Sequence, residues 1–144
     1  MAKQLNIFIE NRPGRLESVT QSLLECEINV RAFALQNRGD HGLMKLIVDQ
    51  PDRAYLEMAN KNFACALKDI LAVSISDQPG NLHKLMTALA QNKINIVDAY
   101  GFVLQPEKRG LCCLEIDDMK NTNAQEVVKK IGFDVLDDEE LYSL

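Results

Sequence analysis

Apolar positions along this chain switch between strand-like and helix-like spacing in one order, and then run through that order a second time. Leu5 to Ile9 is a short, mostly apolar stretch leading to Pro13-Gly14, and Leu71 to Ile75 leads in the same way to Pro79-Gly80. Runs of that length closed by Pro-Gly predict a strand that hands over to a turn or to the start of a helix. Beyond each Pro-Gly, Leu16, Val19 and Leu23, and then Leu82, Leu85, Met86 and Leu89, recur at intervals of three and four, which predicts a helix. Asn29 and Asn95 are expected to close these helices, because asparagine tolerates the left-handed conformation of a helix terminus.

A second strand is predicted over Val30 to Leu35 and Ile96 to Leu104, followed by loops containing Asp40 and Gly42 or Pro106 and Gly110. In the third strand Met44, Leu46 and Val48 alternate with Leu43, Lys45 and Ile47, and Cys112, Leu114 and Ile116 alternate likewise. That alternation predicts one buried face. A second helix is predicted from Pro51 to Asn62, with proline suited to its first turn, and from Asn123 to Ile131, where Ala124, Val127, Val128 and Ile131 form a stripe. A short final strand closes each half.

Aligning the halves shows a duplication. NRPGRLESVTQSLLECEINV from Asn11 recurs from Asp77 as DQPGNLHKLMTALAQNKINI at an offset of 66 residues, and HGLMKLIVD from His41 recurs as RGLCCLEID from Arg109 at an offset of 68. The expected fold class is therefore α+β: two ferredoxin-like βαββαβ units, residues 1–69 and 70–144, each an antiparallel sheet with its helices on one face. Units of this size bury modest cores, so further packing through the open sheet faces, at Phe8, Phe33 and Lys45, is expected.

Composition excludes several classes. Apolar residues make up 47% and charged residues 26% of the chain, the profile of a folded protein and not of a disordered one. No apolar stretch approaches the ~20 residues that span a bilayer, so no membrane partner is expected, and a cytoplasmic location is. The net charge is −5, with the acidic excess in the second half and much of it in Asp137 to Glu140, a run expected to form a solvated surface. Such a surface repels phosphate backbones, which argues against nucleic acid. Cys26, Cys65, Cys112 and Cys113 lack metal-ligand or disulfide-framework spacing and read as free thiols, with Met44, Met58 and Met86 as core. Neither His41 nor His83 belongs to a ligand constellation, and no phosphate-loop, dinucleotide or nucleophile-elbow motif appears. No cofactor and no metal are expected. Asp98 and Glu115 are the acidic residues an enzyme would use, but nothing pairs either one with a base or a nucleophile.

The candidate chemistry lies where the first strand of each half meets its helix: Asn11, Arg12, Pro13, Gly14, Arg15 and Leu16, repeated as Asp77, Gln78, Pro79, Gly80, Asn81 and Leu82, together with Asn29 and Val30, repeated as Asn95 and Ile96. A helix start presents unpaired amides that stabilise a carboxylate, and glycine there lets a ligand approach the backbone. Asn11 both donates and accepts, which suits a zwitterion; ionised Asp77 only accepts, which suits an ammonium group. This pattern resembles the ACT domain family. ENRPGRL followed by INV is most similar to the serine-sensing ACT domain of phosphoglycerate dehydrogenases, with Asn11 and Asn29 at the positions of that motif's two asparagines, Ile9 and Ile75 at the position of its histidine, and Asp77 in place of its first asparagine in the second half. The resemblance covers nearly the whole chain. It implies a freestanding sensor that is not an enzyme, holds a free amino acid between paired units, and works as a homodimer or as a partner of a metabolic enzyme; the alternative is a ligand-independent interaction module.

Overall fold

The structure is a computed structural model describing residues 1 to 144. The chain divides into two compact units, one of Lys3–Lys68 and one of Asp69–Leu144 with Met1–Ala2. The first contains β1 (Ala2–Glu10), α1 (Arg15–Glu25), β2 (Val30–Arg38), β3 (His41–Val48) and α2 (Pro51–Asn60), and ends in the first residues of β4 (Ala64–Ile75). The second continues β4 into α3 (Asn81–Gln91), β5 (Ile96–Gln105), β6 (Arg109–Ile116), α4 (Ala124–Lys130), β7 (Asp134–Leu136) and α5 (Asp138–Tyr142). Each is a ferredoxin-like α+β unit. The closing strand of the first unit and the opening strand of the second are one uninterrupted strand, because neither glycine nor proline breaks the chain between Phe63 and Ser76.

In the first unit β3 lies between β2 and β1; in the second the order is β5-β6-β4-β7, and these neighbours pair antiparallel. Duplication extends to irregularities. The register slips between Val30 and Ala32 in β2 and between Ile96 and Asp98 in β5, a bulge at the same place in each repeat. Each sheet carries its own apolar core against its two helices: Leu5, Ile7, Val19, Leu46 and Met58 in the first, and Leu71, Val73, Leu85, Leu114 and Val128 in the second.

The expectation of a single buried sheet face does not hold. On the second face of β3, Ile47 is 3% and Lys45 6% exposed, and Gln4 and Asn6 of β1 are buried beside each other, the Gln4 side-chain amide donating to Asn6 Oδ1 at 2.7 Å. The cause is visible in LMKLIV, a nearly continuous apolar run of the kind found in strands covered on both sides, interrupted only by Lys45. Of the three residues expected to cover the open face, Lys45 is buried and Phe8 is 52% exposed, whereas Phe33 stands opposite Leu46 on the helix-side face and is 69% exposed.

Helix ends also differ from expectation. The left-handed residues that close α1 and α3 are Glu27 (φ 54°) and Lys93 (φ 57°), two positions before Asn29 and Asn95. Both ends have the same pattern: the Ile28 amide donates to Leu23 O and the Glu27 amide to Leu24 O, as the Ile94 amide does to Leu89 O and the Lys93 amide to Ala90 O. This satisfies the last carbonyls and seats Ile28 and Ile94 in their cores. At the ends of α2 and α4 the corresponding left-handed positions are taken by Asn62 and Gly132, residues better suited to them. Glu27→Gly and Lys93→Gly are therefore expected to raise unfolding free energy by about 0.5–1 kcal/mol each. Urea denaturation measures this, and a loss of stability in both variants would contradict it.

The acidic run forms a helix. Asp137 and Glu140 make a reciprocal capping box, which starts α5 and lets Leu141 bury while the acidic side chains stay at the favourable end of the helix dipole.

Candidate functional site

Both strand-to-helix connections are built around the same tight turn. Gly14 has φ 88° and ψ −11°, Gly80 has φ 92° and ψ −16°, and the amides of Arg15 and Asn81 donate back to the carbonyls of Arg12 and Gln78 at 3.4 and 3.3 Å. These are type II turns, with proline at the second position for its fixed φ and glycine at the third because φ is positive there. A Cβ on either glycine would meet nothing within 4 Å, so the backbone angle, and not a close neighbour, demands glycine. No side chain caps α1 or α3. The turn uses the first helical amide, and the next two, of Leu16 and Glu17 or Leu82 and His83, follow it without a cap.

Asn11 and Asp77 tie this turn to the distant loop between the second and third strands of their unit. The Asn11 backbone amide donates to Asp40 O at 2.7 Å and its side-chain amide to Gly39 O at 2.9 Å. The Asp77 amide donates to Lys108 O at 3.2 Å, and Asp77 Oδ2 accepts from the Glu107 amide at 2.7 Å. One position thus performs one structural task with opposite polarity: a donor where the loop offers a carbonyl, an acceptor where it offers an amide. Neither task uses the remaining side-chain acceptor, the single oxygen Oδ1 of Asn11 or the second carboxylate oxygen Oδ1 of Asp77. Asp77→Ala leaves the Glu107 amide without its acceptor and is expected to cost about 1 kcal/mol, with Asp77→Asn recovering most of it. Chemical denaturation compares the two, and equal losses would show that the carboxylate oxygen is not what holds the loop.

The remaining candidates are partly occupied. Arg12 Nε pairs with Glu10 Oε2 at 2.7 Å, and the Arg15 guanidinium lies over the Phe63 ring at 5.7 Å with its buried Nε unpartnered. Gln78 donates to Glu107 O and the Asn81 side chain to Ser76 O, each at 2.9 Å. Pro13 and Pro79 shape the turns. Leu16 and Leu82 project from the first helical turn, 41% and 52% exposed.

Asn29 and Asn95 do not join these residues within a unit. They lie beyond the far ends of α1 and α3, helices of 11 residues and therefore about 16 Å long. There the carbonyls of Asn29 and Asn95 accept the amides of Asp49 and Asp117 at 3.1 and 2.9 Å, and Val30 and Ile96 pack on their cores.

In the second unit a groove of about 470 Å³ opens beside the turn. Asp77, Gln78 and Leu82 line it, together with residues that sequence reasoning did not single out as a site: Ile75 from β4, Met86 from α3, Ala99 to Val103 from β5, and Cys112 and Leu114 from β6. Burial raises the Cys112 thiol above its ordinary range. Burial also pushes Cys113 up to about 12, against the opposing hydrogen bond with Tyr100, and raises the Tyr100 hydroxyl. These groups are protonated at neutral pH, so the groove offers no thiolate or phenolate nucleophile.

A doubled βαββαβ unit whose leading helices each start at a Pro-Gly turn defines a tandem of small ferredoxin-like domains. The chain belongs to the ACT domain pair family, which matches it over residues 1–144. ACT domains are ligand-binding regulatory domains. Among solved structures, protein BT0572 from Bacteroides thetaiotaomicron is 32% identical with a TM-score of 0.89, covering 99% of this chain and 96% of its own. The regulatory subunits of aspartate kinase from Thermus thermophilus, in a ligand-free form, and from Thermus flavus are 22% and 21% identical with TM-scores of 0.64 and 0.58; coverage is 90% and 89% of this chain, and 92% and 90% of theirs. These two share the fold. A search of curated proteins found no match. No helix is long and apolar enough to cross a membrane.

Proposed function

We propose that this chain is a non-catalytic regulator that senses a free amino acid at its strand-to-helix turns. The observation that carries the reading is the pair of uncapped helix starts behind the type II turns of Gly14 and Gly80. A carboxylate seated there meets oriented amides and the positive end of a helix dipole, without needing a cationic side chain. The free oxygen of Asn11 or Asp77 stands on the same turn to receive the ammonium group. Because Asn29 and Asn95 lie a helix length away from the turn in their own unit, they reach a ligand bound there only from another unit; in this reading that unit belongs to a second copy of the chain, and the working form is a homodimer.

A ligand at 100 times its dissociation constant stabilises the folded state by about 2.7 kcal/mol. Thermal unfolding of the full chain against the common amino acids is therefore expected to show one clear upward shift. A folded sample that melts at one temperature across the whole panel would sink the proposal. The exposed apolar side chains of Phe33 on β2 and Phe102 and Val103 on β5 favour a second reading, in which the chain is a ligand-independent subunit of a metabolic enzyme. Sedimentation without ligand, comparing the native chain with Phe33→Ser and Phe102→Ser, tests whether those faces associate.

A further inference from the structure

We infer that the two repeats have diverged into unequal sites, and that the second unit's groove takes the side chain of a neutral amino acid with a large apolar group; this rests on the amino-acid reading above. Cross-strand register supplies the comparison. In the first unit Phe33 stands opposite Leu46 and Leu35 opposite Met44; in the second, Ala99 stands opposite Leu114 and Gly101 opposite Cys112. Directly opposed residues share a sheet face, and Met44, Leu46, Cys112 and Leu114 all belong to the cores beneath the helices. The second unit has therefore replaced phenylalanine by alanine, leucine by glycine and methionine by cysteine at three adjoining positions on one face. The groove lies along these three.

Gly101 makes the loss of bulk complete. A Cβ there would sit 2.9 Å from Leu111 O and 3.5 Å from Cys112 Sγ, so even a methyl group would need the strands to shift. What borders the space instead is apolar: Ile75, Leu82, Met86, Val103 and Leu114. At about 470 Å³ it falls within the range of small-molecule sites and is suited to one amino acid. The polar groups gather at one end, where Asp77, Gln78 and Ser76 meet the uncapped start of α3. A zwitterion has both of its charges met at that end, carboxylate by amides and ammonium by Asp77. Its side chain then points into a lining whose only carboxylate is already engaged and which holds no lysine or arginine. A basic or acidic side chain would be buried without a counter-charge; a leucine, isoleucine, methionine or phenylalanine side chain would not.

Isothermal titration of the full chain tests this with L-leucine, L-isoleucine, L-methionine and L-phenylalanine against L-serine, L-lysine and L-glutamate. The expected result is binding of one or more apolar amino acids at one site per chain. Cys112→Met and Gly101→Leu, which restore first-unit bulk, should weaken it by about tenfold or more, while Leu35→Gly leaves it unchanged. Circular dichroism checks the fold of each variant, and Cys112→Met decides the matter should Gly101→Leu not fold. Preference for a polar amino acid, two sites per chain, or undiminished affinity in Cys112→Met overturns this inference and leaves the sensor reading standing. If none of the seven amino acids, and no other in the common set, binds the folded chain, both fall together.

Discussion

Truncating Leu85 to alanine is expected to lower unfolding free energy by about 2–5 kcal/mol. Leu85 is fully buried on α3, in the core that also holds Leu71, Leu89 and Leu114. Its removal costs the transfer energy of the lost methine and two methyl groups and leaves a void that a close-packed core fills only in part. Leu82, three residues earlier on the same helix, provides the internal control. It is 52% exposed and lines the groove, so Leu82→Ala should cost under about 1 kcal/mol of stability. In the sensor reading it should instead weaken ligand binding. Equilibrium urea unfolding of both variants separates the two roles. Similar losses of stability would mean that the exposed and buried sides of α3 have been misassigned.

The helix register behind that contrast was legible in the sequence, because Leu82, Leu85, Met86 and Leu89 repeat at helical spacing and the first repeat supports the same phase. Strand identity was legible for the same reason. Strand environment was not: alternation of Met44, Leu46 and Val48 marks one covered face, while the burial of Lys45 and Ile47 on the other depends on what surrounds β3 in three dimensions. Continuity was lost at β4, where two predicted strands are one, since a duplication suggests a boundary even where no turn residue provides it. The reassignment of the α1 and α3 ends from Asn29 and Asn95 to Glu27 and Lys93 has a similar origin. Preference for asparagine in the left-handed region is statistical, whereas the hydrogen bonds from Ile28 to Leu23 and from Ile94 to Leu89 fix the position by chain geometry. The capping box of α5 was present as Asp-x-x-Glu and passed over because the run reads first as charge.

At the site, Pro-Gly announced its turns. The work done by Asn11 and Asp77 was hidden, since their partners Gly39 and Glu107 lie about thirty residues further along and are backbone groups that carry no sequence signal. The position matching the histidine of the resembling motif is packed into the first core as Ile9 and lines the groove as Ile75. An apolar residue at both places changes what a ligand side chain would touch. The groove was least legible of all, because it consists of side chains that are missing: Ala99 and Gly101 look unremarkable by themselves and become informative only when set beside Phe33 and Leu35 through the strand register.

Alkaline pH is expected to destabilise the second unit through Cys113. Its thiol, 1% exposed, is raised by burial from an ordinary value near 9 to about 12, in spite of the hydrogen bond with Tyr100 that pulls the other way. Below pH 9 the folded and unfolded chains both keep this proton, and the group adds no pH dependence. Above it the unfolded chain releases the proton while the folded chain holds it, so stability falls as pH rises, by about 1.4 kcal/mol for each unit until the folded group itself ionises near pH 12. Tyr100, raised for the same reason, adds to the loss at the upper end of that window. Cys113→Ala should be somewhat less stable than the native chain at pH 7, through lost packing, and then gain on it steadily between pH 9 and 11, because it has no proton to withhold. Denaturant unfolding of both chains at pH 7, 9, 10 and 11 gives the difference directly. Parallel stability curves across that range would show that the thiol ionises as readily in the folded chain as in the unfolded one, and would overturn the expectation drawn from its burial.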